Sequence, residues 1–230
     1  MRGDEALARG VIEASVRHAT ARGEGRAISH ADHAAAVLYN GLGRYRDALA
    51  AAQRACEHED LGVFGWALSE LVEAGTRSGT REVAAAALGQ LTERTRASGT
   101  DWALGVGACA RALLSEGETA ETRYREAIGR LGRTRVRVPL ARAHLLYGEW
   151  LRRDNRRTDA REQLRTAHQM FAAMGAGGFA ERAERELRAT GERVRNRTAD
   201  VPAQLTARET QISRLAATAC PTPRSPPSCS

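Results

Sequence analysis

The sequence predicts an all-α fold, and three observations support this prediction. Ala and Leu are abundant, whereas Val, Ile and aromatic residues are scarce, with aromatic residues at only 4% of the 230 residues. This balance favours helices over strands. With 42% hydrophobic and 27% charged residues, the chain can bury a core. Glycine-centred breaks recur between amphipathic segments, which indicates a succession of short helices.

The breaks between the predicted helices recur at a nearly constant interval. The helix after each of four turns has a small residue near its start, at Ala48, Ala84, Ala120 and Ala160, with spacings of 36, 36 and 40 residues. A period in this range is typical of stacked helix–turn–helix repeats. Two helices of a hairpin approach closely only where side chains are small. The chain over residues 1–191 therefore resembles a degenerate tetratricopeptide array, a helical-repeat solenoid.

Both ends of this array are predicted to be helical. Residues 1–28 are predicted as one more helical unit, with Val11, Ile12 and Val16 on one face. A last helix is predicted at about residues 180–190, where Gly191 provides the C-cap.

A linker and one further helix are predicted after the array. Residues 192–204 are polar and basic and contain a proline, so we interpret them as a linker. A helix is predicted over residues 205–218 because Thr206 and Glu209 fit a capping box. Its apolar residues share one face: Leu205, Ile212, Leu215 and Ala216.

The stretch Leu205-Thr206-Ala207-Arg208-Glu209, followed by Ile212 and Leu215-Ala216, resembles the first helix of the LuxR-type helix–turn–helix. Residues 170–191 also resemble the segment that joins helical repeats to this domain in large ATP-binding LuxR-type regulators. The resemblance implies a DNA-binding transcriptional regulator whose repeats sense a protein or small-molecule effector. It also implies that Thr206 and Arg208 contact DNA phosphates, which position a domain without reading sequence.

The tail over residues 219–230 departs from the pattern of that family. It is rich in Pro, Ser and Cys, and we expect it to be disordered. Read two bases further along, its codons can spell Leu-Ser-Asn-Pro-Glu-Ile-Ala-Ala-Gln-Leu-Phe, which matches the family sequence after the first helix. We infer a frameshift near Thr218. The helix–turn–helix is then incomplete, without the recognition helix that reads base edges, so we expect weak, sequence-independent DNA binding at most.

The charge of the chain is unevenly distributed. All 35 basic residues are Arg, so a phosphate-binding loop that needs a Lys is excluded. The ATPase part of the regulators that the chain resembles is therefore absent from this sequence. Residues 1–131 hold 16 Arg and 18 acidic residues, whereas residues 132–230 hold 19 and 10. This asymmetry is compatible with nucleic-acid contact by the C-terminal half. A GC-rich genome and Arg-rich helix surfaces explain it too, and the arginines of segments 133–137 and 152–157 are expected to be solvated.

No constellation of residues in the sequence indicates catalysis, a cofactor or a metal. No nucleophile with a nearby base and no carboxylate pair stands out, so we expect no enzyme activity. His30 and His33 have helical i, i+3 spacing but lack further ligands, so we expect surface histidines rather than a metal site. Cys56 and Cys109 are predicted to pack as small hydrophobic residues.

The sequence leaves two functions open and indicates one location. Besides the truncated regulator, the chain can be a helical-repeat interaction module that binds a protein partner on its concave face without binding DNA. No apolar run reaches the ~18 residues of a membrane span, and the N-terminus lacks the apolar core of a signal peptide. We therefore expect a cytoplasmic protein without membrane contact.

Overall fold

The computed structural model describes residues 5–60 and 62–192, and this part of the chain is all α-helical, as predicted. Its helices are α1 (Glu5–Ala21), α2 (Gly25–Leu42), α3 (Tyr45–Ala55), α4 (Phe64–Ser78), α5 (Arg81–Ser98), α6 (Asp101–Leu114), α7 (Gly117–Gly132), α8 (Arg137–Arg153), α9 (Arg157–Met174) and α10 (Gly177–Ala189). None of these described helices is long and apolar enough to cross a membrane.

The chain divides into one compact unit over Met1–Val194 and a second over Arg195–Ser230. The second unit lies outside the described residues. The same holds for the predicted linker beyond Glu192, the predicted helix over 205–218 and the tail over 219–230. Thr206 and Arg208, the two predicted DNA contacts, lie there too.

Each helix of the first unit packs against the next one along the chain. The even-numbered helices also pack against one another, since α2 contacts α4, α4 contacts α6, and α6 contacts α8. Helix α10 returns to contact α2. The even-numbered helices therefore share an interior, which the odd-numbered helices flank.

The four alanines that define the sequence period occupy equivalent positions. Each is the fourth residue of an odd-numbered helix, and each is fully buried: Ala48, Ala84, Ala120 and Ala160. The approach is close where α4 meets α5, because a Cβ added at Gly75 would lie 3.1 Å from the Cβ of Ala84. A larger side chain on either side of this contact would push the two helices apart.

The apolar core consists of two main clusters. One runs through α6–α10, and its largest fully buried side chains include Tyr124, Phe171 and Leu164. The other runs through α2–α6 and includes Phe64, Leu68 and Leu91. Leu113 on α6 packs against both clusters and connects them.

Helix α10 closes the interior by packing its start against the end of α2. A Cβ added at Gly41 would lie 3.0 Å from the ring of Phe179, so any larger residue there would force this ring to shift. The guanidinium of Arg182 donates a hydrogen bond to the carbonyl oxygen of Asn40 over 2.9 Å. Phe179 also stacks on Phe171 of α9, with ring centroids 5.0 Å apart.

Two predicted helical ends differ from the structure. Residues 1–28 contain α1 and the start of α2, and Val11 is 46% exposed whereas Ile12 and Val16 are half-buried. Val11 is therefore more exposed than Ile12 and Val16, although it lines the cavity between α1 and α2 together with Ile12. Helix α10 begins at Gly177, three residues before the predicted start, because the stacked Phe179 holds the glycine-rich segment in a helix. Gly191 follows it with φ of 85°, as a C-cap glycine does.

Candidate functional site

Two cavities of the described residues have volumes suited to a small molecule, and one of them combines aromatic walls with buried charges. This inner cavity has a volume of about 750 Å³ and lies between α2, α4, α6 and α8, with α5 at one side. The other, of about 950 Å³, lies between α1, α2 and the start of α10. Its walls are mostly apolar, with Val11, Ile12 and Leu38 among them, and the charged residues that line it, Glu5, Glu24 and Arg26, are not buried.

The mouth of the inner cavity lies at the N-terminal ends of three helices. Trp66 lies in the first turn of α4, Trp102 in the first turn of α6, and Val138 at the start of α8. Further in, the walls are formed by aliphatic side chains: Val37, Val106, Leu113, Leu131 and Leu146. The cavity therefore offers two indole rings and a largely apolar lining to a bound molecule.

The floor of the inner cavity is part of a buried set of charges that we call the ion network. It comprises Glu70, Glu73 and Arg77 on α4, Arg142 and Glu149 on α8, and Arg182 on α10. Glu70, Glu73 and Arg142 line the cavity, and the other members lie deeper in the interior. Three carboxylates and three guanidinium groups make the network electrically neutral.

Arg182 connects the three helices of the ion network. Its Nη1 atom lies 2.6 Å from Oε1 of Glu73, and its Nε atom lies 2.7 Å from Oε1 of Glu149. Only 2% of Arg182 is exposed. A guanidinium so far from water is stable only when several acceptors satisfy it, and the two carboxylates meet this need.

Arg142 has the same role at the cavity floor. It donates to both oxygens of Glu70 and to one oxygen of Glu73, with its Nη2 atom 2.9 Å from Oε2 of Glu70. Asn40 on α2 joins this group, because its side-chain amide donates to the same carboxylate oxygen over 2.9 Å. Arg77 pairs with Glu149 at the other side.

The ion network fixes the charge of its members. Burial alone would raise the pKa of Glu73, but Arg142 and Arg182 overcome this effect and lower the pKa to about 2. For Glu149, burial again acts to raise the pKa, and Arg182 with Arg77 lowers it below its ordinary value. Glu73 and Glu149 therefore remain ionised at neutral pH.

Further polar residues line the inner cavity, namely His33, Ser69, Arg94, Thr95, Ser98 and Cys109. His33 is half-buried beside Trp66, with ring centroids 6.0 Å apart, and its ring nitrogens have no hydrogen-bond partner among residues 5–60 and 62–192. Burial lowers the pKa of His33, so its imidazole is neutral at pH 7. Burial raises the pKa of the Cys109 thiol to about 12, so this group stays protonated and is a poor nucleophile.

The other residues discussed in the sequence analysis do not come together at one site in the structure. His30 is exposed and bonds to the carbonyl of Arg26, whereas His33 is half-buried, which differs from the surface position expected for both. No metal-ligating cluster of three His, Cys, Asp or Glu occurs in the described ranges. Cys56 and Cys109 pack against the core as predicted. Arg133, on the expected solvated surface, pairs with Asp101 over 2.6 Å.

The charges of the ion network were not predicted as site residues. Glu70, Glu73 and Arg77 have i, i+3, i+7 spacing, which is also typical of an exposed helix face. The available signal lay on α8, where Glu149 follows Leu145 and Leu146 by one helical turn and so lies on the apolar face. Glu149 and Arg182 carry opposite charges and both lie on apolar helix faces, which indicates a buried ion pair.

Comparison with protein-family models, with curated proteins and with solved structures finds no match to this chain.

Proposed function

We propose that this chain is the effector-binding, helical-repeat part of a transcriptional regulator of LuxR-type descent, and that a small, mostly apolar molecule binds in the inner cavity. The observation that carries the proposal is this cavity of about 750 Å³, in which apolar walls and a few polar groups converge. Small-molecule sites in proteins have this size and this character.

The proposed tetratricopeptide-like architecture is supported by the sequence period and by the equivalent burial of the four alanines. Repeats of this kind stack their inner helices around a concave interior. In this chain, the even-numbered helices share such an interior, and the cavity lies within it.

The lining of the inner cavity restricts the chemistry of the effector. The aromatic walls at Trp66 and Trp102 favour a planar or hydrocarbon body. The neutral ion network at the floor attracts neither a cation nor an anion strongly. His33 offers a ring nitrogen to a hydrogen-bonding group. We therefore expect an uncharged, largely apolar effector with one hydrogen-bonding group.

Four helices contribute to the walls, so the ligand can act on their arrangement. A molecule that fits one arrangement of α2, α4, α6 and α8 better than another shifts the population toward it. This is how an effector could influence a neighbouring domain. DNA contact through Thr206 and Arg208 rests on the resemblance alone, and we expect it to be weak in this chain.

A partner protein is the second candidate occupant. Three side chains at the cavity mouth are about half exposed although apolar: Trp66 at 48%, Val136 at 47% and Val138 at 44%. An apolar side chain of a partner could insert between them. The ion network fills the interior below, so an extended peptide cannot run through it, and the contact area of a partner is confined to the mouth.

The proposal is tested with the neutral fluorescent probe N-phenyl-1-naphthylamine, titrated into the full chain. We expect its emission to rise on binding and the fluorescence of the cavity tryptophans to fall. Val106→Phe narrows the inner cavity and should weaken binding by at least about tenfold, which corresponds to about 1.4 kcal/mol. Leu38→Phe, in the other cavity, is the matched control and should leave the affinity unchanged.

Melting curves of both variants show whether they are folded, so that lost binding is not confused with lost structure. If Leu38→Phe abolishes probe binding and Val106→Phe does not, the inner cavity is the wrong site. If neither substitution changes the affinity, the proposal fails for both cavities.

A further inference from the structure

Arg111 on α6 is an exception among the arginines of the described residues. Of those arginines that are at least half-buried, every other one forms an ion pair with a carboxylate. Within residues 5–60 and 62–192, the guanidinium of Arg111 has neither an ion pair nor a hydrogen bond. None of its nitrogens is among the buried side-chain atoms without a partner, so water reaches the guanidinium and its donors remain open to an anion from solution.

The charges around Arg111 increase the free-energy cost of keeping its guanidinium charged. Burial lowers the pKa of Arg111; Glu126 opposes this, and Arg123, Arg96 and Arg130 lower it further. We call the four arginines 96, 111, 123 and 130 the arginine cluster. It draws on α5, α6 and α7, and two carboxylates pair with its members, Glu126 and Asp101, so its positive charge exceeds its negative charge by two.

Glu126, the carboxylate that acts on Arg111, is hydrogen-bonded to two of its neighbours. Oε2 of Glu126 accepts from Arg123 over 2.9 Å, and Oε1 accepts from Arg130 over 2.9 Å. Both of its oxygens accept from these neighbours, and neither is hydrogen-bonded to Arg111.

The position of Arg111 is fixed by packing as well as by charge. Its Nη1 atom lies 3.3 Å from the point that a Cβ on Gly107 would occupy, and Oγ1 of Thr95 lies 2.8 Å from the same point. The guanidinium therefore lies over a glycine and beside a hydroxyl of α5. A larger residue at position 107 would displace it.

We propose that the arginine cluster binds a phosphate group, with Arg111 as the central ligand. A phosphate dianion brings two negative charges and several acceptor oxygens, which the planar forks of arginine match. A carboxylate would bring one charge and leave half of the excess. The same phosphate chemistry can come from a free phosphate compound or from the backbone of DNA, and we assign it to the free compound because Arg111 is recessed between α5 and α6.

The test uses the full chain in a chloride buffer without phosphate. Pyrophosphate and inorganic phosphate are compared with sodium chloride at equal ionic strength, by thermal unfolding and titration calorimetry. We expect pyrophosphate to raise Tm by about 5 °C at a hundredfold excess over Kd, and chloride to have no such effect.

Two substitutions in the cluster and one control locate the site. Arg111→Gln should weaken pyrophosphate binding by at least about tenfold, since it removes one charge-assisted bidentate contact. Arg96→Gln, at an exposed position of the same cluster, should weaken it less. Arg46→Gln on α3 removes an exposed arginine that also has no ion pair with the described residues, and it should leave the affinity unchanged.

Three results would overturn the proposal. The first is a Tm increase that sodium chloride reproduces. The second is an unchanged affinity in folded Arg111→Gln. The third is binding of a duplex DNA of arbitrary sequence that Arg111→Gln removes while pyrophosphate has no effect, because the cluster would then contact the DNA backbone.

Discussion

The ion network and the arginine cluster bury arginine in opposite ways. In the ion network, Arg142 and Arg182 are matched by three carboxylates at hydrogen-bond distance, and the whole set is neutral. In the arginine cluster, Arg111 is half-buried among like charges, and the two oxygens of Glu126 serve its neighbours. A compensated buried charge holds helices together, whereas an uncompensated one points to a partner from outside the chain.

The largest effect is expected when the network loses one of its cations. Arg142→Met leaves Glu70 and Glu73 buried without their main partner, which should cost about 3–5 kcal/mol of unfolding free energy. Urea denaturation measures this quantity. Arg137→Met, at the exposed start of the same helix, is the control and should change little; equal losses in the two variants would mean that the network does not hold the fold.

The second-largest effect is expected at acidic pH, which should reduce the stability that the ion network contributes. A carboxyl whose pKa is lowered on folding contributes stability at pH above its unfolded pKa, and the contribution is lost as the pH falls toward the folded pKa. For Glu73 this window runs from about 4.5 down to about 2, and its full loss corresponds to about 3 kcal/mol. Urea denaturation at several pH values should show a steeper dependence in the wild type than in Glu73→Gln. The same slope in both would contradict the low pKa.

A smaller effect is expected for the coupling within one pair. A double-mutant cycle on Arg182 and Glu149 should give a coupling energy of about 2 kcal/mol, since both groups are removed from water. The exposed pair Arg44–Asp47, with a distance of 2.7 Å, should show a much weaker coupling that salt reduces further. Similar values for the two pairs would show that burial adds nothing to the interaction.

Local sequence patterns predicted the fold wherever the packing of the helices follows those patterns. The period of Ala48, Ala84, Ala120 and Ala160 predicted four equivalent helix starts, and all four residues are buried as the fourth residue of a helix. The start of α10 was not predicted, because glycines at 177 and 178 favour a loop. Tertiary contacts of Phe179 with α9 and α2 overcome this preference.

The candidate site was less predictable, because it depends on contacts between residues distant in sequence. Glu73 and Arg182 are more than one hundred positions apart, and no local pattern pairs them. The same is true of Arg111, whose lack of a partner follows from the arrangement of three helices. A charge on a helix indicates exposure by default, and only the packed structure shows which charges are removed from water.

The most direct test of this account is the sign of two stability changes, measured by urea denaturation in phosphate-free buffer. Arg182→Met should destabilise the chain by about 3–5 kcal/mol, because it leaves Glu73 and Glu149 buried and unmatched. Arg111→Met should stabilise it slightly, by about 0.5 kcal/mol, because it removes a half-buried charge among like charges. Comparable destabilisation by both substitutions would contradict the distinction between a compensated interior and an uncompensated surface site.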